Sequence, residues 1–292
     1  MHPTAEEKMV SPLVFRSEEE MEIDERDRGV HCTMSKEKYA PHRVLVPLYA
    51  KLALHCNNFF QGKDLKLCSV EEYIQSTGCA ASTYCITFQA VAPETNRIGS
   101  LQTFRSQVCE LAYGRFCLNC LARPLGETKK NITLTDDILD AGMELDFILR
   151  EYCDSKLPLE EDPFNDDTGR FYVLDKSQIE DNAWILLYLE LVVATSFRNH
   201  ITHGLTSLKI LKVAMEIPRS PGVSVNMGLD AYDATFYISY KDFCKARVGK
   251  EVDRIALVRR ILDPQLEILR LGGYTLSSQT IKPSNTMDAG SF

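Results

Sequence analysis

The chain has 292 residues, 45% of them apolar and 25% charged, with 33 basic side chains against 41 acidic ones and a net charge of −8. This is the composition of an ordinary globular chain, and it excludes a collagen-like, low-complexity or wholly disordered one. The acidic balance also argues against a dedicated DNA-backbone binder, because phosphate contacts need clustered Lys and Arg.

Residues 1–40 read as an acidic arm, solvated and partly helical or disordered. Glu18, Glu19, Glu20, Glu22, Asp24, Glu25 and Asp27 crowd it, with Val14, Phe15, Met21 and Ile23 scattered among them. A partner-binding or short coiled-coil segment is the alternative, although sustained heptads are missing. The opening MHPTAEEKMV lacks the apolar stretch of a secretory signal.

A first repeat unit is expected over 41–125. Pro47 fits an early helical position, Leu48, Leu52, Cys56 and Phe59 form the apolar stripe, and Gly62 stops the helix. A short strand at Leu65-Lys66-Leu67 follows. Thr83–Gln89 then alternates with Tyr84, Ile86 and Phe88 on one side, the pattern of a half-buried strand. A hairpin spans Leu101 to Ala122 and turns near Tyr113-Gly114. The connector, 126–180, holds a helix over Asp136–Tyr152 and an acidic loop over 160–167.

The second unit, 181–275, repeats the order. Trp184, Leu187, Tyr188, Leu191, Val192 and Thr195 follow helical spacing, with Asp181 or Asn182 as the cap. PLYAKLAL (47–54) aligns with LLYLELVV (186–193), Leu65–Leu67 with Leu208–Ile210, and Thr83–Gln89 without gaps on Thr235–Lys241. A hairpin over Arg254–Leu271 turns at Asp263-Pro264-Gln265. The tail, 276–292, reads as disordered. Trp184, Leu187, Leu191 and Val192 should pack on the strand carrying Phe236, Ile238 and Tyr240.

One helix on four antiparallel strands, twice in tandem, gives an α+β fold class, and each unit resembles the cystatin fold, so that two tandem cystatin-like units are expected. The segments VPLYAKLALH (46–55), STYCITFQAV (82–91), DPFNDDTGRFYVL (162–174), WILLYLELVVAT (184–195), FYISYKDFCKARVGKEVDRIALVRR (236–260) and LEILRLGGY (266–274) resemble a crucifer-plant family. It is the Male Sterility Five family, long catalogued as a domain of unknown function with cystatin-like repeats. The resemblance covers about residues 40–275. It implies a nuclear protein linked to early meiosis and male fertility, and it brings no catalytic residues with it.

Chemistry is sparse. The chain lacks G-x-S-x-G, G-x-G-x-x-G, P-loop and H-E-x-x-H motifs. No catalytic, cofactor or metal residues are therefore expected, and the chain is expected not to be an enzyme. A cystatin-type inhibitor of cysteine proteases is the first alternative, but Gln75–Cys79 and Ser220–Gly228 lack the Gln-x-Val-x-Gly loop. An uncharacterised enzyme with a cavity between helix and sheet is the second. His200 and His203 are two ligands at a helix end, too few for a metal. Lys245, Arg247, Lys250, Arg254, Arg259 and Arg260 should divide between strand faces, so no nucleic-acid partner is expected.

The ten cysteines are expected as thiols in a reducing compartment, nucleus or cytoplasm. Cys117 and Cys120 form a C-x-x-C, but in a strand they point to opposite faces. The longest apolar stretch, Trp184–Thr195, is well short of the roughly 20 residues of a membrane span. The expected partner is a protein. Ser11-Pro12 and Ser220-Pro221 match proline-directed kinase sites, and phosphorylation of the arm would extend it by repulsion.

Overall fold

The structure, a computed structural model, describes residues 30–77, 82–93, 101–112, 114–126, 149, 152–153, 161–165, 169–203, 205–216 and 225–278. Its strands are β1 (Val30–Thr33), β2 (Lys66–Thr77), β3 (Ser82–Val91), β4 (Gln102–Glu110), β5 (Phe116–Pro124), β6 (Phe171–Val173), β7 (Leu208–Glu216), β8 (Asp233–Asp242), β9 (Asp253–Asp263) and β10 (Ile268–Ser277). The α-helices among the described residues are α1 (Ala40–Gln61), α2 (Lys176–Asp181), α3 (Ala183–Ser196) and α4 (Lys245–Val248).

The ten strands among the described residues form one antiparallel sheet, in the order β1-β2-β3-β4-β5-β10-β9-β8-β7-β6. This overturns the expected α+β fold of two tandem cystatin-like units. The protein is mainly β, its two halves joined where Leu269 of β10 pairs with Cys120 of β5 and Gly273 with Phe116. The reason lies in the last strand of each hairpin. Phe116–Ala122 and Ile268–Tyr274 are buried at every position. As outer strands of separate sheets they would be long apolar edges, which folded proteins avoid. Pairing them removes both edges at once.

α1 and α3 lie side by side on one face of this sheet and share a single core. That core runs from Leu45, Tyr49 and Leu52 through Phe88 and Phe104 to Leu191, Phe236, Ile238 and Leu271. α3 is buried almost all round: Ile185, Leu187–Leu189 and Leu191–Thr195 are covered. A helix without a polar face belongs between layers rather than on a surface. α1 starts earlier than Pro47 suggests. Pro41 occupies its first turn and Pro47 lies inside the helix, while Gly62 ends it at φ 59°. There the Asn58 side chain clasps both backbone groups of Leu65, at 2.9 and 3.1 Å. On the opposite sheet face, Leu149 and Tyr152, the described residues of the expected connector helix, pack together with Cys153 on β5, β9 and β10.

The strand order is mirrored about the β5–β10 seam, which places β3 and β8 at equivalent positions with Tyr84 and Phe236 both fully buried. The first strand of each half is offset from its expected alignment. Leu67 lies opposite Ala90, and Leu208 opposite Asp242, so Leu67 rather than Leu65 is the counterpart of Leu208. Both strands bulge before Glu72 and Lys212, and β2 carries a second bulge between Leu67 and Ser69. An extra residue per bulge shifts any ungapped alignment.

Candidate functional site

The mirrored register brings two buried charges to equivalent places between the helices and the sheet. Cys109 pairs with Thr83 and Arg259 with Thr235. The next residues, Glu110 and Arg260, are therefore counterparts, 2% and 1% exposed. The helix alignment likewise equates Tyr49 with Tyr188 and Phe59 with Arg198. Around Glu110, the Tyr49 hydroxyl donates to Oε1 at 2.6 Å, and the Arg198 guanidinium donates to the same oxygen. Arg198 follows α3, so the second half supplies the counter-ion of the first. Burial, then the Glu110 charge, pushes the Tyr49 hydroxyl well above its usual range. Burial opposes the charge on Arg198, but Glu110 outweighs it and holds the guanidinium more firmly protonated than usual.

Arg260 faces a different environment. Its guanidinium carbon lies 5.1 Å from the ring centres of Trp184 and Phe236 and 5.7 Å from that of Phe59. Phe59 follows from α1, so each half again lends a helix-end residue to the other. Nη2 donates to the carbonyls of Leu229 and Ala231, at 2.6 and 2.7 Å, tying down the turn before β8. Aromatic faces and carbonyl dipoles stand where Glu110 has its ion pair.

A third cluster sits at the start of α1. The Tyr73 hydroxyl donates to Glu37 and lies 2.8 Å from His42 Nδ1. Glu37 also accepts from the Tyr39 N–H at 2.6 Å. Burial opposes the Glu37 charge, but the hydrogen bonds from Tyr73 and Tyr39 win and hold its carboxyl at about 2. Burial lowers the His42 pKa despite Glu37 beside it. Burial, then Glu37, raises the Cys32 thiol. Burial thus favours a protonated Cys32 thiol and a neutral His42 ring, the reverse of the thiolate–imidazolium pair of an activated cysteine. The carboxylate lies just before the α1 N-terminus, where the helix dipole favours negative charge.

The Protein MS5 family description matches residues 157–271. UPF0725 protein At4g11700 of Arabidopsis thaliana is 98% identical over 168 residues, which are 58% of this chain and 92% of that one. UPF0725 protein EMB2204 of the same plant is 37% identical over 262 residues, 85% of this chain and 71% of that one. The crystal structure of MS5 from Brassica napus superposes with a TM-score of 0.57 at 27% identity, over 80% of this chain and 97% of that chain. The chain belongs to the MS5 family.

Other positions singled out in this MS5-family sequence are spread across the fold. Arg247 is fully buried against Asp242 at 2.9 Å, Arg259 pairs with Asp233 at 2.9 Å, and Arg254 lies over Phe197. Only Lys245 and Lys250 of that basic group are exposed. His200 and His203 fall in the 3₁₀ turn Arg198–His203. Cys117 and Cys120 do face opposite sides of the sheet. Among the described residues no helix is long and apolar enough to cross a membrane. Ser11, Ser220, the acidic arm up to residue 29, and residues 78–81 and 217–224 of the two loops lie outside the described residues. Glu37, His42, Tyr73, Glu110 and Arg198 went unnoticed in the sequence. The signal for Glu110 was there: it is the one acid inside the apolar hairpin over 101–122.

Trp184 is half-buried rather than enclosed. Its ring stacks on His55 at 5.6 Å, meets Phe236 at 5.2 Å, and its Nε1–H donates to Asn182 Oδ1 at 2.8 Å. That bond takes the oxygen that would otherwise cap α3. Trp184→Ala should cost about 2–3 kcal/mol, below the value for a fully buried indole. Urea unfolding followed by far-UV CD checks it, since the mutation removes the single tryptophan.

His55 supplies a pH test. Burial, then the Arg260 charge, lowers its pKa from 6.5 to about 3. On acidification the unfolded chain takes up this proton before the folded one does. The stabilisation is therefore complete above about 6.5, falls as pH drops, and is spent near 3. Part of the residue stays accessible, so at most about 2 kcal/mol should be lost between pH 7 and pH 5. His55→Phe keeps a ring against Trp184 and should flatten that window. Glu37 acts lower, its stabilisation present above about 4.5 and lost as pH falls through about 2.

Proposed function

We propose that this chain is a non-enzymatic protein-interaction component that acts in the nucleus during early male meiosis, and so in male fertility. Membership of the MS5 family supports the biological setting. The carrying observation for the molecular part is that the acid, base and thiol groups brought together at Glu37, His42, Cys32 and Tyr73 are tied to one another. Their pKa shifts run against nucleophilic catalysis. A protease-inhibitor reading loses the fold-level support it drew from separate cystatin-like units.

The test is complementation of a loss-of-function plant. A fluorescently tagged wild-type chain should enter the nuclei of male meiocytes and restore pollen viability. The Cys32→Ser/His42→Gln variant, once shown to fold, should restore it equally. A folded variant that fails would assign chemistry to this cluster. A chain excluded from meiotic nuclei would remove the nuclear reading.

A further inference from the structure

The two outer edges of the sheet are only partly covered. β6 pairs with Ala214–Glu216 of β7, and Leu174 N–H reaches the Val213 carbonyl. Leu208 N–H already donates to the Leu205 carbonyl at 3.1 Å, and among the described residues no strand pairs with the outer side of Lys209–Lys212. Leu211 in this stretch is 42% exposed, with Phe243 (56%) beyond one end and Val173 (42%) and Tyr172 (50%) of β6 beyond the other. Phe243 is held there by its N–H to the Ser207 carbonyl. Lys209 and Lys212 are exposed between these apolar groups, with no carboxylate partner among the described residues. The edge therefore offers free backbone groups, an apolar strip and two unneutralised cations. Lysines on an edge repel a second edge of the same kind. They do not repel an acidic strand.

The chain itself carries a segment of that pattern. Glu20-Met21-Glu22-Ile23-Asp24 alternates acidic and apolar residues with period two, six residues before β1 begins. Measured along the sheet, the arm falls short of β7 in its own molecule. β1 and β7 are eight strand steps apart, about 38 Å at ~4.8 Å per step. The chain from Asp24 to Val30 spans at most about 21 Å.

We propose that Lys209–Lys212 of one copy is the docking edge for residues 20–24 of a second copy, added as a further strand. Backbone pairing gives the affinity, and Lys209 and Lys212 against Glu20, Glu22 and Asp24 give the selectivity. The exposed stretch of β2 is the poorer host, because Glu71 there is exposed alongside Lys66. The interface is of the head-to-tail kind, so it closes a small ring or extends. It stands apart from the meiotic role and can fail without touching it.

Sedimentation of the full chain at low ionic strength tests it, over roughly 1–100 μM, the range of modest interfaces. Wild type should associate with concentration, and less so as salt rises. Lys209→Glu/Lys212→Glu should weaken association about ten-fold or more, and so should Glu20→Lys/Glu22→Lys/Asp24→Lys. Combining both sets should restore it, with far-UV CD unchanged throughout. A wild type that stays monomeric overturns the proposal. So does association that neither reversal weakens, or that the combined variant fails to recover.

Discussion

Glu110→Ala is expected to lower the unfolding free energy by about 3–5 kcal/mol, the usual result of removing one partner of a buried ion pair. Both side chains are largely covered, at 3% exposure for Glu110 and 13% for Arg198. The mutation takes the carboxylate from Arg198 and the acceptor from the Tyr49 hydroxyl, so two buried donors lose their shared partner at once. Replacing both charges, as Glu110→Leu with Arg198→Met, should recover most of that loss, because an apolar pair avoids the desolvation cost. Urea denaturation of the three proteins at pH 7 checks both statements. A single mutant within about 1 kcal/mol of wild type would mean that water reaches the pair.

Gly273→Val should be more severe, at more than about 4 kcal/mol, and should leave little folded protein. A Cβ on Gly273 would stand 2.0 Å from the Leu257 carbonyl oxygen and 3.1 Å from the Val258 Cα. These are backbone atoms of the neighbouring strand, so only the ladder between β9 and β10 can give way. Gly272→Ala offers the contrast. Its Cβ would meet the Leu149 and Cys153 side chains, at 2.6 and 2.7 Å, which can shift at about 1–3 kcal/mol. Soluble yield and CD report on the first variant, denaturation midpoints on the second. Equal behaviour would show that the β9–β10 spacing is not what demands glycine.

The strands that carry aromatic and β-branched residues in strict alternation, β3 and β8, were legible in the sequence, as was the stripe of α3. Alternation tells which face a residue takes but not which strand lies beside it. The β5–β10 seam therefore stayed hidden, and a single sheet was read as two. The start of α1 was misplaced because Pro41 and Pro47 both suit a first turn, and the interior proline is tolerated in a helix pinned by its apolar face. β1 and β6, at four and three residues, are too short to show a period. The Glu110–Arg198 pair joins residues 88 apart in sequence, and a lone charge at a strand end reads as solvated until the fold covers it. Arg260 was read as one of a string of basic residues that divides between faces. It does divide, and the face it takes is the inner one.

The two halves should unfold as one cooperative body, because each lends Phe59 or Arg198 to the buried charge of the other. Native-state hydrogen exchange across a urea series tests this most directly. Amides of β3 and β4 should open with the same free energy as those of β8 and β9, and that value should match global unfolding read by Trp184 fluorescence. Separate plateaus for the two strand sets, with one half exchanging while the other stays protected, would contradict it.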